Sequence, residues 1–266
     1  MSDNRPIGVF DSGVGGLTVV KSLKDILPHE NIIYFGDIAR IPYGTKSQAT
    51  IQKFAAETAK FLIQKNVKAI IIACNTISAI AKDIVKEITG DIPMIDVISA
   101  GISLIDDNLN IGVIATPATI NSNAYTKQIN QLYPKSQVFT QSCGLFVSMI
   151  EEGFVEGEVV ELITKEYLDD FSSKSLDCLI LGCTHYPIIK ESISKVLKNV
   201  MLIDTSQQAV KILMELLIKQ NMLNDGLSNN LNYKFYVTDI PLKFKAVGEV
   251  FLQTRMDDLE IVSLDN

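Results

Sequence analysis

Two cysteines in this sequence stand in matching surroundings. Cys74 follows the apolar run Ala69–Ala73 and leads through Asn75 and Thr76 into a segment of helical period. Cys183 follows the apolar run Cys178–Gly182 and leads through Thr184 and His185 to Tyr186-Pro187. A thiol at a strand end, in front of a helix, sees the positive end of the helix dipole, and that environment draws its pKa below the unperturbed value of about 8.5. The nearby backbone N–H groups and the Asn and Thr side chains suit a carboxylate ligand. His185, one of 2 histidines, sits two residues from Cys183, where it can assist proton movement or polarise the thiol. One thiolate and one thiol sharing a site form a base and an acid, and such a pair needs no cofactor to move a proton. The competing reading of any single cysteine is a small buried core residue. Cys143 and Cys178 take that reading here: Cys178 lies inside a strand pattern and Cys143 has no catalytic neighbour in sequence.

Other strand-end residues supply further polar groups. Asp11-Ser-Gly-Val-Gly-Gly16 closes the first strand pattern and opens a helix. It matches neither GxGxxG in its usual setting nor GxxxxGK[ST], so Asp11 and Ser12 are read as substrate or catalytic groups rather than as a phosphate loop. In Gly36-Asp-Ile-Ala-Arg-Ile-Pro-Tyr-Gly44, Tyr43 and Gly44 offer backbone donors, while Asp37 and Arg40 read as an ion pair that holds the loop. Thr116, Thr119 and Asn121 line a corresponding turn further on. At Glu151-Glu152-Gly153 a carboxylate is either solvated or orients His185.

The elements that position these groups alternate. Short apolar runs are expected as strands over 7–10, 32–35, 69–73, 94–97, 111–115, 138–140, 178–182, 201–203, 233–237 and 259–262. Segments of helical period lie between them over 17–27, 48–64, 78–88, 125–132, 158–171, 188–197, 207–219 and 242–251. Several strands are apolar throughout, which suits parallel strands covered on both faces. The rhythm predicts an α/β fold with mostly parallel sheets flanked by helices, whose ligands sit beyond the carboxyl ends of the strands. It also repeats. Ile7-Gly-Val-Phe-Asp-Ser12 resembles Ile111-Gly-Val-Ile-Ala-Thr116, an offset of 111 − 7 = 104, and Ile71-Ile-Ala-Cys-Asn-Thr76 resembles Ile180-Leu-Gly-Cys-Thr-His185, an offset of 180 − 71 = 109. Two pseudosymmetric domains facing a cleft follow from this. The first comprises 1–97 and 208–266 and carries Cys74; the second comprises 98–207 and carries Cys183. The polar run Asn221–Asn232 is expected as a surface loop.

Composition removes several alternatives. The 266 residues are enough for one large or two medium domains, and 47% hydrophobic with 21% charged residues is ordinary for a globular chain. A net charge of −7 disfavours nucleic acid as the main partner. The polar start gives no secretory signal, and the most apolar stretch, Val67–Ile80, is interrupted by Lys68, Asn75 and Thr76, too short and too polar for a membrane span. Four cysteines without CxxC argue against a zinc knuckle, and free thiols point to the cytoplasm. The first motif begins within the opening residues, so no regulatory domain is expected before it.

Together, Phe10-Asp-Ser-Gly-Val-Gly-Gly-Leu17, Tyr34-Phe-Gly-Asp37 with Ala39-Arg40 and Pro42-Tyr-Gly44, Ala73-Cys-Asn-Thr76 and Leu181-Gly-Cys-Thr-His-Tyr-Pro187 resemble the glutamate racemases of the aspartate/glutamate racemase family. The order of motifs agrees and the resemblance spans essentially the whole chain. Thr184-His185 after the second cysteine favours glutamate over aspartate, whose racemases typically carry Thr-Glu there. Ile38, Asp96 and Gly144 depart from the usual Thr, Gly and Pro and touch loop geometry rather than catalytic groups. The resemblance implies cofactor-independent interconversion of L- and D-glutamate, supply of D-glutamate for peptidoglycan, a homodimer, and no metal. It implies that Cys183, helped by His185, deprotonates L-glutamate, and that Cys74, helped by Asp11, deprotonates D-glutamate. Glu152 would support His185, and Ser12, Tyr43, Gly44, Asn75, Thr76, Thr116, Thr119 and Thr184 would hold the polar groups of the substrate. The rivals are another cofactor-free enzyme on this scaffold, such as an aspartate racemase or a decarboxylase, and a thiol redox or ligand-binding protein.

Overall fold

The computed structural model describes residues 3–226, 231–240 and 244–264. All ten expected strands form: β1 (Ile7–Asp11), β2 (Ile32–Gly36), β3 (Ala69–Ile72), β4 (Met94–Asp96), β5 (Asn110–Ala115), β6 (Gln137–Ser142), β7 (Cys178–Gly182), β8 (Met201–Ile203), β9 (Tyr233–Val237) and β10 (Leu259–Ile261). They build two sheets, a six-stranded one in the order β10-β9-β2-β1-β3-β4 and a four-stranded one in the order β6-β5-β7-β8. Every strand pair is parallel. The central strands β1, β3 and β7 are buried along their whole length, as apolar sequences interrupted only by Asp11 at the end of β1 require.

The internal repeat is visible at the level of register. The four strands β2-β1-β3-β4 follow the same order as β6-β5-β7-β8. In the first sheet Val9 pairs with Ile71, and in the second Val113 pairs with Ile180. Those residues are related by the same offsets, 113 − 9 = 104 and 180 − 71 = 109, that the sequence motifs show. In each half the strand order reverses between its first and third strands, so the connections leave in opposite directions and open a crevice at the carboxyl ends. Asp11 and Cys74 flank that crevice in the first half, and Thr116 and Cys183 flank it in the second.

The helices are α1 (Leu17–Ile26), α2 (Gln48–Gln64), α3 (Asn75–Ile80), α4 (Lys82–Thr89), α5 (Val97–Ile102), α6 (Pro117–Ser122), α7 (Ala124–Leu132), α8 (Gly144–Glu151), α9 (Glu158–Leu168), α10 (Lys190–Val196), α11 (Thr205–Lys219) and α12 (Phe244–Leu252). One face of the first sheet packs on α2 and its neighbours through Phe10, Phe35, Ile51, Leu62 and Ile72. Its other face joins α1, α11 and α12 in a cluster that continues into the second half through Ile114, Phe146, Leu179 and Ile193. Opposite that cluster, Ile98, Ile111, Val113, Tyr125 and Ile180 cover the second sheet.

Three differences from the sequence expectation bear on the site. The helix expected over 78–88 begins earlier, at Asn75, and is broken at Ala81 into α3 and α4. Helices α5, α6 and α8 were not expected; each starts within a few residues of a strand end and is short. Asp96 accepts from the Ser99 N–H at 2.9 Å, which gives this departure from the family pattern a physical reason: it caps α5. The expected helix over 242–251 and the loop over 221–232 lie partly outside the described residues.

At the opposite ends of the strands, Lys68 ties remote segments together. Its Nζ lies 2.6 Å from Glu30 Oε2 and donates to the carbonyls of Asp3 and Met222, both at 2.7 Å. Both side chains are almost fully buried. Removing one partner leaves an uncompensated buried charge, so Lys68→Met is expected to lower unfolding stability by about 3–5 kcal/mol. Lys68→Met combined with Glu30→Leu should recover part of that loss. Denaturant titration of the three proteins checks both expectations.

Candidate active site

Both crevices open into one cavity of about 120 Å³. Cys74, Asn75, Thr76, Ser12, Tyr43 and Gly44 reach it from the first half. Thr116, Cys183, Thr184 and His185 reach it from the second, and Glu151 closes it from α8. The cysteine turns therefore converge, although they follow strands of different sheets. Asp11 and Thr119 stand behind the wall rather than in it. Asn121 lies exposed on α6.

Glycines let the halves meet this closely. A Cβ on Gly15 would fall 2.2 Å from Thr184 Oγ1 and 2.6 Å from His185 Nδ1, and one on Gly44 would fall 2.7 Å from Thr116 Cβ. The glycine-rich turn after β1 thus serves close packing against the second half, which agrees with setting aside a phosphate loop. Across the same junction, Thr76 Oγ1 lies 3.0 Å from Thr116 Oγ1 and 3.3 Å from Thr119 Oγ1, a hydroxyl cluster shared by both halves. Tyr43 donates to Asp37, which also receives Arg40 Nε at 2.7 Å and the Thr238 hydroxyl at 2.9 Å. Asp37 and Arg40 form the expected ion pair and hold the Tyr43–Gly44 turn.

The two thiols differ in their partners. Cys183 Sγ lies 3.8 Å from His185 Nδ1, and His185 Nε2 lies 3.0 Å from Glu151 Oε1. The carboxylate behind His185 is therefore Glu151; this corrects the assignment of Glu152, the next residue, which is exposed. Unrecognised α8 explains the error. Val147 and Glu151 are four residues apart, so one helix face turns both toward the cavity while Phe146, Met149 and Ile150 enter the core. Val147, Ser148 and Gly144 are wall residues that motif reading missed, and that helical spacing was the available signal. Burial pulls the His185 pKa down, but hydrogen bonds to Cys183 and Glu151, with their negative charge, outweigh it and push the pKa up to about 10. The Phe251 ring from α12 stands edge-on to His185 with centroids 5.5 Å apart, shielding it from solvent.

Cys74 has no such cation. Its thiol donates to Ser12 Oγ at 3.5 Å. Burial and the nearby Asp11 charge raise its pKa to about 12, against the lowering by Ser12 and the Ile77 N–H. The expectation that the helix start would lower this pKa is overturned: α3 has only 6 residues, and its terminal N–H groups act in the expected direction but are outweighed. Asp11 is itself buried, receives the Gly13 N–H at 3.0 Å, and has its pKa raised by burial. Cys143 and Cys178 are buried and free and lie outside the cavity wall, as expected. Among the described residues no cluster of three or more His, Cys, Asp or Glu is arranged to hold a metal ion, and no helix is long and apolar enough to cross a membrane. The site thus offers a protonated thiol on one wall, a thiol paired with an imidazole on the other, and hydroxyl and amide donors between them.

Known proteins share this architecture. A crystal structure of glutamate racemase from Francisella tularensis in complex with D-glutamate is 69% identical, covers 99% of each chain and superposes with a TM-score of 0.96. A curated glutamate racemase from Neisseria meningitidis is 48% identical over 263 residues, 98% of this chain and 97% of that protein. An aspartate racemase homologue from Pyrococcus horikoshii, 18% identical with a TM-score of 0.56 over 80% of this chain and 98% of its own, shares the fold alone. The family model described as Asp/Glu/Hydantoin racemase matches residues 7–213. On this sequence match and this shared architecture, the chain belongs to the Asp/Glu/Hydantoin racemase family.

Proposed function

We propose that the chain is a glutamate racemase that interconverts L- and D-glutamate by two-base proton transfer. The observation that carries the reading is that Cys74 and Cys183, one from each half, line a single cavity. A thiolate on one wall takes the Cα proton and becomes a thiol. The electron pair left on carbon is delocalised into the adjacent carboxylate. The opposite thiol then delivers its proton to the other face and becomes a thiolate, so each turnover exchanges the two protonation states. Cys183, beside His185, is the base for L-glutamate, and Cys74 is the base for D-glutamate. Asp11 lies behind Cys74 in the role that Glu151 has behind His185. Ser12, Tyr43, Gly44, Asn75, Thr76, Thr116 and Thr184 hold the carboxylates and the amine, with Thr119 supporting Thr76 and Thr116. The reaction as written uses only these side chains and no cofactor. Residues 1–97 with 208–266, and 98–207, act as the two domains. The remaining parts of the reading are a homodimer in the cytoplasm and supply of D-glutamate to peptidoglycan.

The first test compares glutamate with aspartate as substrates. Glutamate should be racemised and aspartate should not; the reverse preference would overturn the substrate assignment. Cys74→Ala and Cys183→Ala are each expected to reduce turnover by at least about a thousandfold, because each removes an obligatory acid or base. In deuterated solvent the product should carry deuterium at Cα, and unlabelled product would contradict exchange through two thiols.

A second prediction concerns pH. The folded-state pKa of His185, about 10, lies above its ordinary value of 6.5. The stability it contributes is therefore fully present below pH 6.5 and is lost as pH rises through about 10. Loss of that proton also removes the cation from a site that must hold an anionic substrate, so kcat/KM should fall over the same alkaline range. Glu151→Gln removes a charge that raises this pKa and should move the alkaline limb to lower pH, whereas Glu152→Gln should leave it in place. Rate profiles of the two variants distinguish the carboxylates.

A further inference from the structure

Asn75 is 2% exposed and lines the cavity, yet its two amide atoms are unequally occupied. Oδ1 accepts from the Tyr125 hydroxyl at 2.6 Å, while Nδ2 is buried and has no partner among the described residues. Tyr125 belongs to the other half, at the start of α7, and is 3% exposed. The left-handed backbone of Asn123, φ 57°, separates α6 from α7 just before it and redirects the chain. The ring of Tyr125 also lies beneath the second cysteine turn, because a Cβ on Gly182 would fall 3.1 Å from Tyr125 Cε2. One side chain thus touches the residue after Cys74 and the residue before Cys183.

An asparagine amide can turn over, presenting either its oxygen or its N–H₂ to a ligand. Toward a carboxylate these are opposite interactions, since only the N–H₂ face donates. We propose that Tyr125 is a positioning residue for the reaction proposed above: its hydroxyl occupies Asn75 Oδ1 and thereby presents Nδ2 to a substrate carboxylate. Because the hydroxyl comes from the second half, the donor is fixed only while the halves are docked. Tyr125 touches no reacting atom; it acts through Asn75.

The test is a double-mutant cycle on the intact chain: wild type, Tyr125→Phe, Asn75→Ala and the double variant, with kcat and KM measured for both enantiomers. Y125F is expected to raise KM about tenfold for each enantiomer with kcat changed less than about threefold, the signature of lost binding rather than lost chemistry. In the N75A background the same substitution should alter kcat/KM by less than about twofold, since its only route of action is gone. An equal loss in both backgrounds would assign Tyr125 to packing under Gly182 and overturn the proposal, as would an unchanged KM in Y125F. Asn75→Asp keeps the acceptor for Tyr125 but removes the inward N–H, and should bind at least as weakly as N75A; wild-type affinity in N75D would overturn the proposal independently. Calorimetric titration of an equilibrated mixture of D- and L-glutamate into the same proteins reads binding directly, with no net reaction. Binding without racemisation would overturn the functional reading alone, while absence of both in the wild type would overturn both readings.

Discussion

Every feature of the site depends on how closely the two halves approach at Gly15 and Gly44. Without a Cβ at either position, the turn after β1 rests directly on Thr184 and His185, and the Tyr43–Gly44 turn rests on Thr116. That approach makes the Thr76–Thr116–Thr119 cluster and the Tyr125–Asn75 bond geometrically available. It also excludes solvent, which decides the electrostatics. In a wet cleft Cys74 would titrate near its ordinary value; in this one, burial is the largest influence on it.

Burial then acts differently on two similar turns. Cys183 has an imidazole at its side, and that imidazole has a carboxylate behind it. Cys74 has a hydroxyl at its side and a buried carboxyl behind. The first arrangement supports charge separation in a dry site, whereas the second keeps a proton on sulfur. The two strand-end turns thus place their sulfurs in dissimilar surroundings, and the difference resides in a few side chains: His185 and Glu151 against Ser12 and Asp11.

The sheet architecture was legible because its signal is local. Runs such as Ala69–Ile72 and Cys178–Gly182 are uniformly apolar, and a parallel strand covered on both faces demands that. The repeat was legible because register follows sequence offset once strand order is shared. The site was legible wherever a residue lies on a turn directly after a strand, as Cys74, Thr116 and Cys183 do. It was obscure where a side chain arrives from a short helix. The spacing of Gly144, Val147, Ser148 and Glu151 separates Glu151 from Glu152 only once this 8-residue segment is known to be a helix. Tyr125 was obscure for another reason: its partner is 50 residues away, in the other half. The shift at Cys74 was misjudged because the helix start is visible in sequence while the depth of burial is not.

The shared strand order and register have a geometrical consequence. A chain of L-residues cannot build the mirror image of any part of itself, so it cannot offer the two faces of a stereocentre reflected environments. Two like halves of one chain are instead related by a rotation. When that rotation turns their crevices toward each other, it sends a thiol on one side of a planar carbon to the opposite side without any change of hand. The internal repeat thus does by rotation what chirality forbids by reflection. The unlike neighbours of the two sulfurs mark where the halves depart from equivalence.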